Sequence, residues 1–342
     1  MKKQIISASI IVIIFVFAHF FILPDAVTAA KRYMIKFASV APEGSTWIKQ
    51  MRILDKTLRK KSNGQIGLRI YAGGIAGDEL DVLRKIRIGQ IHSVAFSGVG
   101  IAQTLPMVRV LDLPFLFRNM EEVETVRDTL SDYFVEMFRG KGFEFLAWAE
   151  IGDVHLFSIK EIRKVDDLKG LKIWTWSGDP ISKKTFSVLG STPIPLSITD
   201  VTTALSTKMI NTIYAPPLGA MAMQWDSKVK YMTLLPLAHS TGTVIISLDY
   251  FNKIPKELST LLKVEIKNAM SNLTSDLIVQ SRESIDLIQG KGVNVIPIPP
   301  EDELAKFYRV HDLVAKDLTD KIYPKELLDK VYDILKKARN SP

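Results

Sequence analysis

The 342-residue chain contains no cysteine. That single absence removes structural disulfides, thiolate metal sites and a lipid-modified amino-terminal cysteine together. Histidine is scarce: His19, His92, His155, His239 and His311 stand alone, none at a metal-ligand spacing from another. Each reads as a satisfied structural or surface histidine, so no metal is expected. No nucleophile beside a base, carboxylate pair or cofactor loop stands out. No catalytic residue is assigned, no cofactor is expected and an enzyme is disfavoured. Gly73-Gly74-Ile75-Ala76-Gly77 sits where a phosphate loop would, between a strand and a helix. Its spacing is not the dinucleotide fingerprint, and no Lys-Ser or Lys-Thr follows. A tight turn is the better reading. Basic residues number 45 against 37 acidic, a net charge of +8, but they are scattered. Without a basic stripe or a recognition motif, nucleic acid is not an expected partner.

Past Leu23 no second apolar run approaches membrane-spanning length. The first run, Ile5 to Leu23, follows Lys2 and Lys3 and is succeeded by Pro24 and Val27-Thr28-Ala29-Ala30. A charged start, an apolar middle and small residues are the layout of an export signal. Residues 1–30 are therefore expected to be either a cleaved signal or a retained amino-terminal anchor. Both place the remaining chain outside the cytoplasm, in the periplasm. Without disulfides an exported chain depends on its core. An apolar content of 47% supplies one, and the length suggests two domains.

The pattern along the chain alternates strand and helix. Tyr33 to Ser39 alternates as a strand; Ser45 caps a helix carrying Ile48, Met51, Leu54 and Leu58. Ile66, Leu68 and Ile70 form a second strand, Leu80, Leu83 and Ile86 a second helix, and Ser93 to Ser97 a third strand. Such alternation predicts an α/β fold with a parallel sheet covered by helices. A second set begins with strands at Phe143 to Ala149 and Gly170 to Trp176, a helix from Ile181 to Leu189 and another starting at Asp200. One long amphipathic helix is predicted from Pro255 to Gly290, with Leu258, Leu262, Ile266, Ala269, Leu273 and Leu277 along a stripe. A last helix covers Lys325 to Ala338, with Leu328, Val331 and Leu335 inward.

Several sequence words then occur in order: Ser62-Asn63-Gly64-Gln65-Ile66, the glycine turn continued by Asp78-Glu79-Leu80, and Gly89-Gln90-Ile91-His92-Ser93-Val94. Val110-Leu111-Asp112-Leu113-Pro114-Phe115-Leu116-Phe117 is the most specific; Asp167-Leu168-Lys169-Gly170-Leu171-Lys172-Ile173 and Leu189-Gly190-Ser191-Thr192-Pro193 follow. In these words the chain resembles the DctP-type solute receptors of tripartite ATP-independent periplasmic (TRAP) transporters. The resemblance implies a two-lobed, periplasmic-binding-protein-like fold with hinge-crossing strands and a long interdomain helix. Domain I would comprise 31–151 and 240–279. Domain II would comprise 152–239 and 280–342, with the carboxyl-terminal helix. It also implies a small-molecule ligand held between the lobes by hinge closure. The implied partners are TRAP membrane subunits driven by an ion gradient.

The chain also departs from that family. Where most members carry an arginine that grips the ligand carboxylate, directly after Gly-Leu-Lys-Ile, this sequence has Trp174. A second, less regular arginine position falls at Val154, and an Asn-Pro pair is replaced by Ala215-Pro216. Strand alternation turns Trp174 and Trp176 away from Leu171 and Ile173. Trp174, Trp176 and Tyr214 would offer apolar faces, each with one hydrogen-bonding handle. Trp47 and Ser97 join the candidate site because ligands bind beyond the carboxyl ends of parallel strands. The expected ligand is apolar or weakly polar, fatty or aromatic. On that ground the chain is most similar to the sub-group paired with a tetratricopeptide-repeat protein. Two alternatives stand beside this: tryptophans that only pack a degenerate cleft, and an exported lipid- or partner-binding protein no longer coupled to transport.

Overall fold

The structure is a computed structural model that describes residues 31–340. The expected leader and His19 lie outside the described residues. Among those described, no helix is long and apolar enough to cross a membrane.

Strand β1 (Tyr33–Ala38) pairs in parallel with β2 (Ile66–Tyr71) and β3 (Ser93–Phe96). Between them run α1 (Thr46–Lys61) and α2 (Glu79–Arg87). The local signals were those read from the sequence. The Ser45 hydroxyl accepts the Ile48 N–H at the start of α1, and Ile48, Met51, Leu54 and Leu58 are buried. The glycine turn is a tight turn: the N–H groups of Gly73, Gly74 and Gly77 bond to the carbonyls of Ala41, Ser39 and Gly74. Those donors are spent on backbone, and Gly77 at φ +96° leaves no room for a side chain against Asp81.

After the short helix α3 (Gly98–Ala102) and a 3₁₀ turn at Pro106–Asp112, α4 (Met120–Gly140) packs on β4 (Phe143–Ser158). The second lobe holds β5 (Lys172–Trp176), α5 (Pro180–Val188), β6 (Thr192–Leu196), α6 (Val201–Ser206), β7 (Thr212–Ala215), α7 (Pro217–Ala222) and β8 (Tyr231–Thr233). The chain then returns through β9 (Ala238–Ser247), followed by α8 (Leu248–Phe251), α9 (Lys256–Gly290), β10 (Asn294–Ile296), α10 (Glu301–Leu318) and α11 (Lys325–Asn340).

β4 and β9 join the lobes. They pair antiparallel from Phe143↔Ser247 to Val154↔Ala238, and β3 pairs with the far side of β9. Past that stretch β4 exchanges partners and pairs with β7 and β8. β4 is longer than the Phe143 to Ala149 strand read from the sequence, because Glu150 and Asp153 break its apolar pattern. Arg127 and His239 neutralise those carboxylates from distant parts of the chain. A register shift between Glu150 and Gly152 marks the crossing.

Helix α9 carries 35 residues, a length of about 52 Å at the helical rise. Its predicted stripe is buried in the core of the first lobe, while Ile288 at its far end joins the core around Trp174. α11 packs on α4 of the first lobe, where Arg339 makes a paired bond to Glu122 and also donates to the Leu116 carbonyl.

Candidate functional site

Between the lobes lies a cavity of about 610 Å³, within the range of small-molecule sites. Every residue singled out from the sequence stands on its wall: Trp47, Ser97, Val154, Trp174, Trp176, Tyr214 and Ala215. β5 supplies the tryptophans. Its alternation places Leu171 and Ile173 in one core cluster and Trp174 and Trp176 in another, as the period of a strand requires. Trp174 stacks on Tyr214 at 5.1 Å and meets the edge of Trp225 at 5.4 Å. Only 2% of its surface is exposed, so the indole forms the back of the wall rather than a projecting contact.

The expected hydrogen-bonding handles are not free. Trp174 Nε1 donates to the Leu196 carbonyl at 3.1 Å, and Trp176 Nε1 donates to both oxygens of Asp78 at 3.0 and 3.2 Å. Trp47 Nε1 donates to the Glu150 carbonyl and Trp225 Nε1 to Thr202 Oγ1. A buried indole N–H must find a partner, and here each finds one within the protein. Tyr214 Oη accepts the Trp176 N–H, and burial raises the pKa of its phenol. Ser97 likewise gives its hydroxyl to Glu79. What remains at the wall is mostly apolar.

Charge in the cavity comes from residues the sequence reading passed over. Arg109, on the 3₁₀ turn, donates Nη1 to Asp112 Oδ2 at 2.8 Å and Nη2 to Asp179 Oδ1 at 2.6 Å. All three side chains are buried. Burial opposes the charge on Arg109, but Asp179 and Asp112 outweigh it and raise its pKa. Burial pushes the Asp112 carboxyl up even beside that cation. Glu79, at the start of α2, accepts the Ser97 and Gly100 N–H groups, and burial pushes its pKa up to about 7. His239, also on the wall, bridges Asp153 at 2.9 Å and Glu150 at 3.2 Å. Burial disfavours its protonation, yet the flanking carboxylates raise its pKa overall. The other described histidines are satisfied structurally: His155 by the Thr233 carbonyl, His92 by the Lys36 N–H, and His311 by the Pro114 carbonyl and Tyr332. Among the described residues no group of side chains could hold a metal ion.

Arg109 carried no pattern that pointed to it. Its carboxylate partner on the second lobe lies 70 residues away in sequence. The nearest hint was Asp179-Pro180, a helix start in which Asp179 caps the Ile181 N–H.

The lobes touch across the cavity through Trp176 and Asp78, through Ser197 Oγ and Asp78 at 2.6 Å, and through Arg109 and Asp179. Two α/β lobes closed over a cavity and joined by crossing strands define a solute-binding receptor. Residues 37–321 match the model for bacterial extracellular solute-binding proteins of family 7, and the chain belongs to that family, DctP. As a member of a solute-binding family it is a binding protein rather than an enzyme. The 2,3-diketo-L-gulonate-binding periplasmic protein YiaO of Escherichia coli is 28% identical over 70% of this chain and 73% of its own. A solute-binding protein of Verminephrobacter eiseniae is 28% identical over 58% of this chain, and the match spans 60% of that relative. The sugar acid binding protein DctPAm of Advenella mimigardefordensis, solved with galactonate, superposes with a TM-score of 0.85. It is 22% identical and covers 90% of this chain and 99% of its own.

Proposed function

We propose that this receptor captures an uncharged ligand, apolar or weakly polar, between its lobes and delivers it to the membrane subunits of a TRAP transporter. A tetratricopeptide-repeat protein is a further proposed partner, resting on the apolar cavity alone. The observation that carries the ligand reading is the state of the cavity's arginine. The guanidinium of Arg109 is already divided between two buried carboxylates, and Trp174 and Val154 occupy the positions where relatives would offer another. Asp112 and Asp179 face Arg109 on the wall, so its charge is already compensated before an anion arrives. A charge-assisted hydrogen bond is worth about 1.5–3 kcal/mol, so an acid without one loses about 10- to 150-fold in affinity.

Contact with the ligand is assigned to Trp47, Trp176 and Tyr214, with Trp174, Val154, Ala215 and Ser97 shaping the wall. The lobes are taken to be 31–151 with 240–279 and 152–239 with 280–323, α11 returning to the first. The register shift between Glu150 and Gly152, opposite Thr241 and Ser240, supports a hinge at that boundary. Sugar acids and carboxylates are bound by several solved neighbours, and the chemistry of this cavity argues for a different cargo. Native mass spectrometry of freshly purified protein tests this: the expected adduct is an uncharged lipid-like or aromatic molecule. A co-purified sugar acid or dicarboxylate would overturn the assignment.

A further inference from the structure

Asp112 and Asp179 hold Arg109 in different ways. Asp112 lies on the same 3₁₀ turn and is fixed to the first lobe, because its second oxygen accepts the Thr241 N–H at 2.8 Å. The backbone is shaped to admit this pair. A Cβ at Gly98 would stand 1.9 Å from Asp112 Oδ2 and 2.2 Å from Arg109 Nη1. Arg109 is thereby anchored to the first lobe through Nη1, with Nη2 turned toward the second lobe. Asp179 approaches from the second lobe. Its Oδ1 takes Nη2 at 2.6 Å, with the side chain only 3% exposed, while Nε finds no protein acceptor although it is buried. That Nε has almost no exposed surface, so it is a cost borne inside the protein, and the approachable part of the arginine is the Nη2 that Asp179 covers.

We propose that Asp179 is an internal substitute for a ligand carboxylate: it occupies the cavity's arginine as the lobes close and so sets the receptor against anions. This rests on the reading that the cargo is uncharged. Closure then draws its ion pair from the protein, and the cargo need supply only shape and apolar surface. The same geometry assigns Asp179 as the specificity-determining residue. Once it is removed, Nη2 is free to meet a ligand carboxylate.

Asp179→Ser and Asp179→Asn both keep a good helix cap for α5 while removing the charge. Each variant and the wild type are titrated by calorimetry with 1-naphthoate and with its uncharged counterpart 1-naphthalenemethanol. The wild type should prefer the alcohol. The variants should gain about 10- to 150-fold for naphthoate relative to the alcohol. Adding Arg109→Met to Asp179→Ser should erase the gain. A folded variant whose acid-to-alcohol ratio equals that of the wild type would overturn the role of Asp179, with the uncharged-cargo reading intact. A wild type that already prefers naphthoate would instead sink the cargo reading itself.

Discussion

Replacing Arg109 by methionine removes a cation from between two buried carboxylates and leaves volume nearly unchanged. Asp112 and Asp179 have side-chain exposures of 7% and 3%, so neither can recover its hydration. Breaking one side of a buried ion pair costs about 3–5 kcal/mol, chiefly because a charge is left without compensation. Asp112 can escape by taking up a proton. The folded-state pKa of Asp112 then rises further, in the direction burial already drives it. A group raised in this way contributes stability below its unfolded pKa and loses it as pH climbs through the folded one. Arg109→Met should therefore cost less at pH 5 than at pH 8, where the loss should reach about 3–5 kcal/mol. Urea unfolding followed by tryptophan fluorescence at the two pH values measures both. A loss under about 1 kcal/mol at pH 8, or one independent of pH, would refute the description of this triad as a buried, closed ion cluster.

Glu79 provides a second pH test. With its pKa raised by burial to about 7, its contribution is present below about pH 4.5 and declines as pH rises through 7, by up to about 3 kcal/mol. Comparing wild type with Glu79→Gln between pH 4.5 and 8 should show a flatter profile in the variant; an unchanged slope would remove Glu79 from the account. Gly98→Ala drives a methyl into Asp112 and Arg109 and should cost about 1–3 kcal/mol in a urea melt, whereas a neutral result would mean the turn relaxes freely.

Much of the architecture was legible because its signals are local. The Ser45 cap, the α9 stripe from Leu258 to Leu277, and Leu328, Val331 and Leu335 of α11 all depend on neighbours within a few turns. α4 has an equally plain stripe in Val123, Val126, Leu130, Phe134 and Phe138, which the strand-and-helix reading left unassigned. The second half of β4 was hidden for a different reason. Its acidic residues are tolerated only through Arg127 and His239, partners brought near by the fold. The site divides the same way. Its aromatic wall followed from strand alternation and from the departures at Trp174 and Val154. The spent indole N–H groups and the Arg109–Asp179 bridge depend on long-range contacts that no spacing announces.

A cavity built in this way should refuse anions. Calorimetric titration of the wild type at pH 8 with galactonate and succinate, beside a series of uncharged aromatic and long-chain compounds, addresses it most directly. Neither acid should give a measurable heat of binding into the millimolar range, and an uncharged member should bind saturably. Micromolar affinity for either acid would contradict it.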